Sequence, residues 1–522
     1  MRARAPYLAA LIVGAMTLLP NYAQGAPGVL DKSFGGDGKV TTHVDGSGEI
    51  NDVASMGDGR LVAAGYADNR IAVARYRRDG SRDKTFSGDG WAATLVGAVA
   101  SQGNAVVIQS GGKILVAGSA SNGGDDDFAV VRFQSGGGLD KKFSGDGKVT
   151  TPVGPGADRA HAIALQPDGK ILVAGQANNG SDQDFAVVRY RPNGALDMQF
   201  GGTGKVMLDI DGATDVANDI AVKGNGKIIL GGVASVMGTS RFAVARLNPD
   251  GSPDPNFGTN GVVTTPIGSV DDGANGVAIQ RDGKVLLAGY SHDGSDDDFA
   301  MVRYKANGDL DNSFGGDGKV TTAIGALRDT GVDVAVTDDG RILVAGIVRS
   351  ASDDDFGLAR YRPNGTLDPA FSADGKRTTD FAQDYDDPFA LALHDPGRIV
   401  VAGSTLEGSD YVWALARYKG RTSRRTSLKT NEGRPRAGTR FKLSGRVRSA
   451  DRLCRSRVKV RIERDVLGGR VSYKKVKILT TRRDGTFGLR RAAVRSARYR
   501  AVVRATDSCG KASATRRILV QP

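Results

Sequence analysis

Four short runs of alternating or wholly apolar residues recur along most of the chain. In one copy they read KVTT (148–151), AIALQ (162–166), KILVAG (170–175) and FAVVRY (185–190). In the last run Phe185, Val187 and Arg189 share one face while Ala186, Val188 and Tyr190 share the other, the two-residue period of a β-strand. KILVAG is apolar on both faces, as suits a strand held between neighbouring sheets. PDG joins the second run to the third, a turn signal with glycine where positive φ is needed. No useful length carries a 3.6-residue apolar period, so the pattern predicts an all-β array.

The runs belong to a repeat. One phenylalanine returns every 57 residues at Phe86, Phe143, Phe200, Phe257, Phe314 and Phe371, with an earlier copy at Phe34. A period of this length marks one supersecondary unit stacked on its own copies. The glycine ending the third run occurs seven times, from Gly65 to Gly403, and so does the arginine of the fourth run. The first Phe phrase opens the repeats with no strands before it, and the last fourth run, ALARYKG (414–420), has no phrase after it. The segment GKVTTHV (38–44) is therefore expected to supply the outer strand that the final unit lacks. That predicts a seven-bladed β-propeller closed by its N-terminal strand, which leaves no exposed strand edges. An open β-solenoid would need capping units at both ends.

The phrases LDNSFGGDGKVTT, AIALQPDGKILVAG and DFAVVRYRPNGALD resemble the delta-60 repeat β-propeller family over residues 28–420. That resemblance implies a propeller fold in a secreted bacterial protein, with no agreed activity and no catalytic residue to carry over. The first unit is shorter, with Phe34 and Phe86 only 52 residues apart.

The chain divides into residues 1–25, a secretory signal; 26–420, the propeller; 421–436, a basic linker; and 437–522, a basic β-sandwich. The signal is read from Arg2, Arg4, the apolar Leu8–Leu19 and the small residues before Ala26. A secreted or cell-surface protein without a transmembrane segment is expected. Residues 421–522 hold 31 Lys and Arg against 6 Asp and Glu, a net of +25; the preceding chain holds 40 and 52. Six or seven short runs after Phe441 resemble an immunoglobulin-like or carboxypeptidase-regulatory-like sandwich on pattern alone. Cys454 and Cys509, the two cysteines, are expected to form one disulfide in an oxidising compartment.

An Asp follows the recurring arginine by eight residues in six units: Arg75/Asp83, Arg132/Asp140, Arg189/Asp197, Arg246/Asp254, Arg303/Asp311 and Arg360/Asp368. Asp31 occupies the equivalent place for Arg417. Seven like copies point to a structural ion pair tying strand end to loop, since a ligand site usually breaks symmetry. A second recurrence, Asp158, Asp215, Asp272, Asp329 and Asp386, lies near the entry to each inner strand, and the loops between third and fourth runs are also acidic. Together they predict an acidic face around the channel mouth, a binding site for a basic protein or Ca²⁺ or simply a soluble turn-rich surface. No EF-hand-type loop supports the metal, and no cofactor is expected.

Among four histidines only His161 stands at the inner-strand entry, where Asn51, Asn104, Asn218 and Asn275 stand in other units and Val332 and Phe389 in two more. The expected function is a monomeric, non-enzymatic scaffold presenting the acidic face, with the basic sandwich tethering it to an anionic cell-envelope polymer. Nucleic acid is disfavoured by the secretory signal. The alternative is a hydrolase or lyase in the channel using His161 and Asp158 as a general-base pair.

Overall fold

The structure is a computed structural model that describes residues 26–420, except 351–352, 382–384 and 395–396. Beyond them it describes 425–430, 440–448, 459–466, 474–482, 484, 486–492, 497–503 and 512–518. The secretory signal and the Cys454–Cys509 pair lie outside the described residues. Every regular element is a β-strand, and no helix is long and apolar enough to cross a membrane among the described residues.

Residues 39–419 form seven four-stranded antiparallel sheets. In six of them the strands follow chain order, as in Arg159–Leu165, Ile171–Asn178, Gln183–Tyr190 and Lys205–Leu208. The seventh takes Asp386–His394, Arg398–Glu407 and Asp410–Lys419 and adds Lys39–Thr42 from the other end of the repeats. Lys39 pairs with Ala416 and Thr42 with Trp413, as the out-of-phase count predicts. The apolar second strands are buried over the five residues that end at the recurring glycine, as in Ile171–Gly175, and clusters of Leu, Val, Ile and Phe fill the spaces between consecutive sheets. One such cluster joins Val53 and Ala63 of the first sheet to Val400 and Trp413 of the last.

A single arginine side chain ties each sheet to the next. The arginine of each sheet's third strand, such as Arg189 in Gln183–Tyr190, meets its Asp partner at 2.5 to 3.2 Å in all seven copies. Its guanidinium lies over the recurring Phe ring, 4.5 to 4.9 Å from the centroid. Its Nη1 then donates to a backbone carbonyl of the following sheet, for example Arg132 to Pro192 and Arg303 to Pro363, both at 2.5 Å. Arg360 reaches Gly420, and Arg417 reaches Arg78 of the first sheet. A second cation, the Lys or Arg entering the second strand, also approaches each Asp, as Lys170 does Asp197 at 3.1 Å. Burying such a carboxylate is tolerable because both charge and hydrogen-bonding needs are met.

The basic C-terminal region forms a three-stranded and a four-stranded antiparallel sheet. Leu428, Leu443 and Phe487 from the one share a buried cluster with Val460, Ile462, Tyr499 and Val503 from the other. Arg425–Thr430, expected to be linker, is instead a strand paired with Arg440–Arg448. Its Leu428 is the reason, since that side chain is buried in the cluster.

Candidate functional site in the central cavity

The first strand of every sheet carries a one-residue bulge. The pairing skips Asn51, Asn104, His161, Asn218, Asn275, Val332 and Phe389 in turn. A bulge bends the strand and re-aims the side chain of the extra residue. The recurring glycine of the second strand permits it. A Cβ on Gly175 would stand 1.9 Å from the Arg159 carbonyl oxygen, and the other six copies are equally crowded, at 1.8 to 2.1 Å.

These bulged residues, with the residues that follow six of them, line one cavity of about 120 Å³ to which all seven first strands contribute. Asparagine amides stitch the wall. Asn51 donates to the Gly103 carbonyl at 2.9 Å, Asn104 to Ala160 at 2.7 Å, Asn218 to Ala274 at 2.9 Å and Asn275 to Gly331 at 2.8 Å. His161 interrupts this series, with Nε2 3.4 Å from Gln176 Oε1. Burial lowers its pKa and favours the neutral imidazole.

The next position along the wall is Asp52, Asp219 and Asp333 in three sheets and Ala or Gly in the rest. Each carboxylate bridges two sheets. Asp52 accepts from the Val53 and Val106 N–H groups at 2.6 Å, Asp219 from Ile220 and Val277 at 2.7 Å, and Asp333 from Val334 at 2.6 Å and Leu391 at 2.7 Å. Burial raises all three despite those bonds, Asp52 to about 6, Asp219 to about 7 and Asp333 well above the ordinary carboxylate range, the charges of Asp219 and Asp52 adding to the last. A neutral imidazole and protonatable carboxyls in one cavity are the complement that acid–base chemistry uses. Sequence reasoning missed these three because only three of the seven equivalent positions carry an acid; the signal was an acid where sister repeats carry Ala or Gly.

The five expected rim aspartates sit elsewhere. Asp158, Asp215, Asp272, Asp329 and Asp386 are buried, none more than 1% exposed. Each accepts the backbone N–H at the start of the preceding loop, as Asp158 Oδ2 does from Val153 at 2.6 Å and Asp272 Oδ2 from Ile267 at 2.6 Å. The same holds for Asp215 with Ile210, Asp329 with Ile324 and Asp386 with Phe381. They anchor loops instead of forming an exposed ring. Asp158 is not among the residues lining the cavity, its Oδ1 accepts from the Asn178 N–H at 3.1 Å, and neither ring nitrogen of His161 bonds to it. The expected His161–Asp158 dyad is therefore not formed; His161 shares the cavity lining with Asp52, Asp219 and Asp333. Acidic crowding on the loop side is real: burial and neighbouring aspartates raise Asp215 to about 7 and Asp355 to about 6.

Among the described residues two acidic groups have the geometry to hold a metal, Asp184/Asp209/Asp215 and Asp355/Asp380/Asp386, with one oxygen from each member lying within 4.8 Å of the others.

A family model for a β-propeller domain of unknown function, DUF5122, matches residues 57–86, 109–143, 166–200, 223–257, 280–314 and 337–371. No curated protein matches the sequence. Among solved structures, the polysaccharide lyase Uly1 is 10% identical, with 77% of this chain and 94% of that chain covered and a TM-score of 0.42. An ulvan lyase of a new polysaccharide lyase family is 12% identical, covering 72% and 95% with a TM-score of 0.41. A glycosyl hydrolase from Bacteroides ovatus is 12% identical, covering 60% and 83% with a TM-score of 0.25. Likeness at this level transfers no activity. The expectation of a non-enzymatic protein is set aside on the cavity's own chemistry, where burial shifts the titration of His161 and of three carboxyls.

Proposed function

From the premise that the repeats of residues 57–371 belong to the DUF5122 β-propeller family, we propose a secreted seven-bladed propeller whose central cavity hosts acid–base cleavage of a polysaccharide, as a lyase or hydrolase. Ring closure is supported by the pairing of Lys39–Thr42 with the last sheet and by the ties from Arg360 to Gly420 and Arg417 to Arg78. The observation that carries the chemistry is the meeting of His161 with three pKa-raised carboxyls in one cavity. Asp219 stands on the strand next to that of His161. In either reaction one group takes a proton, from the sugar carbon in elimination or from water in hydrolysis. Another gives a proton to the leaving glycosidic oxygen. A neutral His161 fits the first task and a protonated Asp219 the second.

The test incubates the full chain with neutral and uronate-containing polysaccharides, reading unsaturated uronate for elimination and reducing ends for hydrolysis. His161→Ala should lower turnover by about 100-fold or more, the usual weight of a general base, with an unchanged thermal midpoint. Cleavage that survives both His161→Ala and Asp219→Asn, or a chain inert across the panel, overturns the reading.

A second, compatible reading concerns location. The C-terminal region reads as a β-sandwich with basic outward positions, Lys459, Lys475 and Lys477 being exposed around its apolar cluster. It fits electrostatic attachment to an anionic cell-envelope polymer, which salt weakens. Retention of the full chain on purified cell-wall material should fall steeply over a salt series; retention indifferent to salt removes the tether.

A further inference from the structure

Where an outer strand passes into the next sheet, five of the seven junctions hold a lysine on a backbone carbonyl. The lysine that opens the following outer strand reaches back to the carbonyl just after the preceding one. Lys148 reaches Leu95 at 2.8 Å, Lys319 reaches Pro266 at 2.6 Å, and Lys205 and Lys376 make the same contact to Pro152 and Ala323. Lys39 closes the series on Asp380 at 2.9 Å. In the strand Val262–Thr265 the lysine position is Val262.

The junction that Val262 faces is also the one where the residue after the outer strand is Asp209. Without a lysine there, a groove of about 670 Å³ opens, lined by Asp209, Ile210, Val262 and Val263 among others. Asp209 is exposed, and a carboxylate oxygen of it lies within 4.8 Å of one from Asp184 and one from Asp215, both buried. Asp209 spends Oδ1 on the Asp211 and Gly212 N–H groups, Asp215 spends Oδ2 on that of Ile210, and Asp184 spends Oδ2 on the Asn179 amide. Asp184 is 3% exposed, and its Oδ1 has no hydrogen-bond partner. A buried carboxylate oxygen left without donor or cation is costly, which makes it an indicator of a missing ligand.

We propose that Asp184, Asp209 and Asp215 form a binding site for one hard divalent cation, with Ca²⁺ the best match, reached through the groove that Val262 leaves open. All-oxygen donors select such ions, and two ligands on opposite sides of a Ca²⁺ stand about 4.8 Å apart, so the cluster needs little rearrangement to close on one. Solvent in the open groove supplies the remaining positions. The sister cluster Asp355/Asp380/Asp386 is the internal contrast, because the Lys39 ammonium donates to the Asp380 backbone carbonyl at its mouth, where the first cluster has Val262. The site is separate from the central cavity, so it stands or falls independently of the chemistry proposed there.

Calorimetric titration of chelator-treated full chain with CaCl₂ and MgCl₂ tests this. One saturable Ca²⁺ event per chain is expected, weakened at least about tenfold by Asp209→Asn through loss of one ligand charge. Val262→Lys should abolish it, and Asp380→Asn should leave it unchanged. Asp209 and Val262 lie at the open groove, and unchanged circular dichroism confirms that the variants fold. Absence of saturable binding at millimolar Ca²⁺, or binding that survives both Asp209→Asn and Val262→Lys, overturns the site. Equal loss with Asp380→Asn does so too.

Discussion

The outer edge of each sheet and the wall of the central cavity are built by the same repeat, yet they have diverged to opposite degrees. At the edge, seven arginines meet seven aspartates, seven phenylalanines and seven carbonyls of a neighbouring sheet with almost no variation. On the wall, the backbone device is equally constant, a bulge opposite a glycine, but the side chains it presents run through Asn, His, Val and Phe, then Asp, Ala and Gly. Repetition has been kept where stability is a sum over interfaces. It has been relaxed where a cavity gains its character from asymmetry. Site chemistry in this molecule is thus to be sought where the period fails, not where it holds.

The largest effect expected from breaking that contrast lies at the edge. Arg189→Ala removes a buried guanidinium, its Asp197 pair at 2.9 Å, its place over Phe200 and its bond to Pro249. Lys170 remains 3.1 Å from Asp197 and softens the loss. Unfolding in urea should show a cost of about 3 kcal/mol, the lower end for a broken buried pair. A cost near zero would mean that the constant residues are not what holds the interfaces.

An intermediate effect is expected on the wall, as a pH dependence. Asp219 is raised by burial to about 7 in the folded chain, against an ordinary value near 3.9 when unfolded. The folded state therefore binds the proton more tightly, and this group's contribution to stability is present at low pH and lost as pH rises through about 4 to 7. Asp219→Asn removes that slope while adding a pH-independent cost, since an amide cannot accept from both the Ile220 and Val277 N–H groups. The difference in thermal midpoint between parent and variant should favour the parent most at pH 4 to 5 and shrink toward pH 8. A difference that is flat, or that grows with pH, would show Asp219 ionised at its ordinary pKa.

How much of this could be read from sequence follows the same division. The 57-residue period, the eight-residue Arg–Asp spacing and the strand borrowed from residues 38–44 were legible because each is a regular recurrence whose physical purpose is shared by every copy. Asp158, Asp215, Asp272, Asp329 and Asp386 recur just as regularly, and were read as a channel rim. Recurrence meant the opposite, a buried anchor for loop N–H groups. Asp52, Asp219 and Asp333 were passed over because three acids in seven registers form no pattern. The bulge that aims the wall inward adds one residue within a strand, and no turn signal marks it. Val262 is legible only beside the five lysines that the structure shows reaching back across the junction.

The smallest expected change in stability is also the sharpest probe of the wall. His161→Asn would restore the amide that its sister positions carry, and the pattern of Asn104 to Ala160 and Asn218 to Ala274 places the Ala217 carbonyl as its acceptor. Exchanging the weak 3.4 Å contact to Gln176 for such a bond should change stability by no more than about 1 kcal/mol, and in the stabilising direction. Cleavage, if it depends on the imidazole, should vanish in the same variant. Stability kept while activity is lost would assign His161 to chemistry that the repeat itself does not require. A marked destabilisation would instead make the histidine a packing solution particular to its own sheet, and the cavity wall would then be no freer of structural duty than the arginine edge.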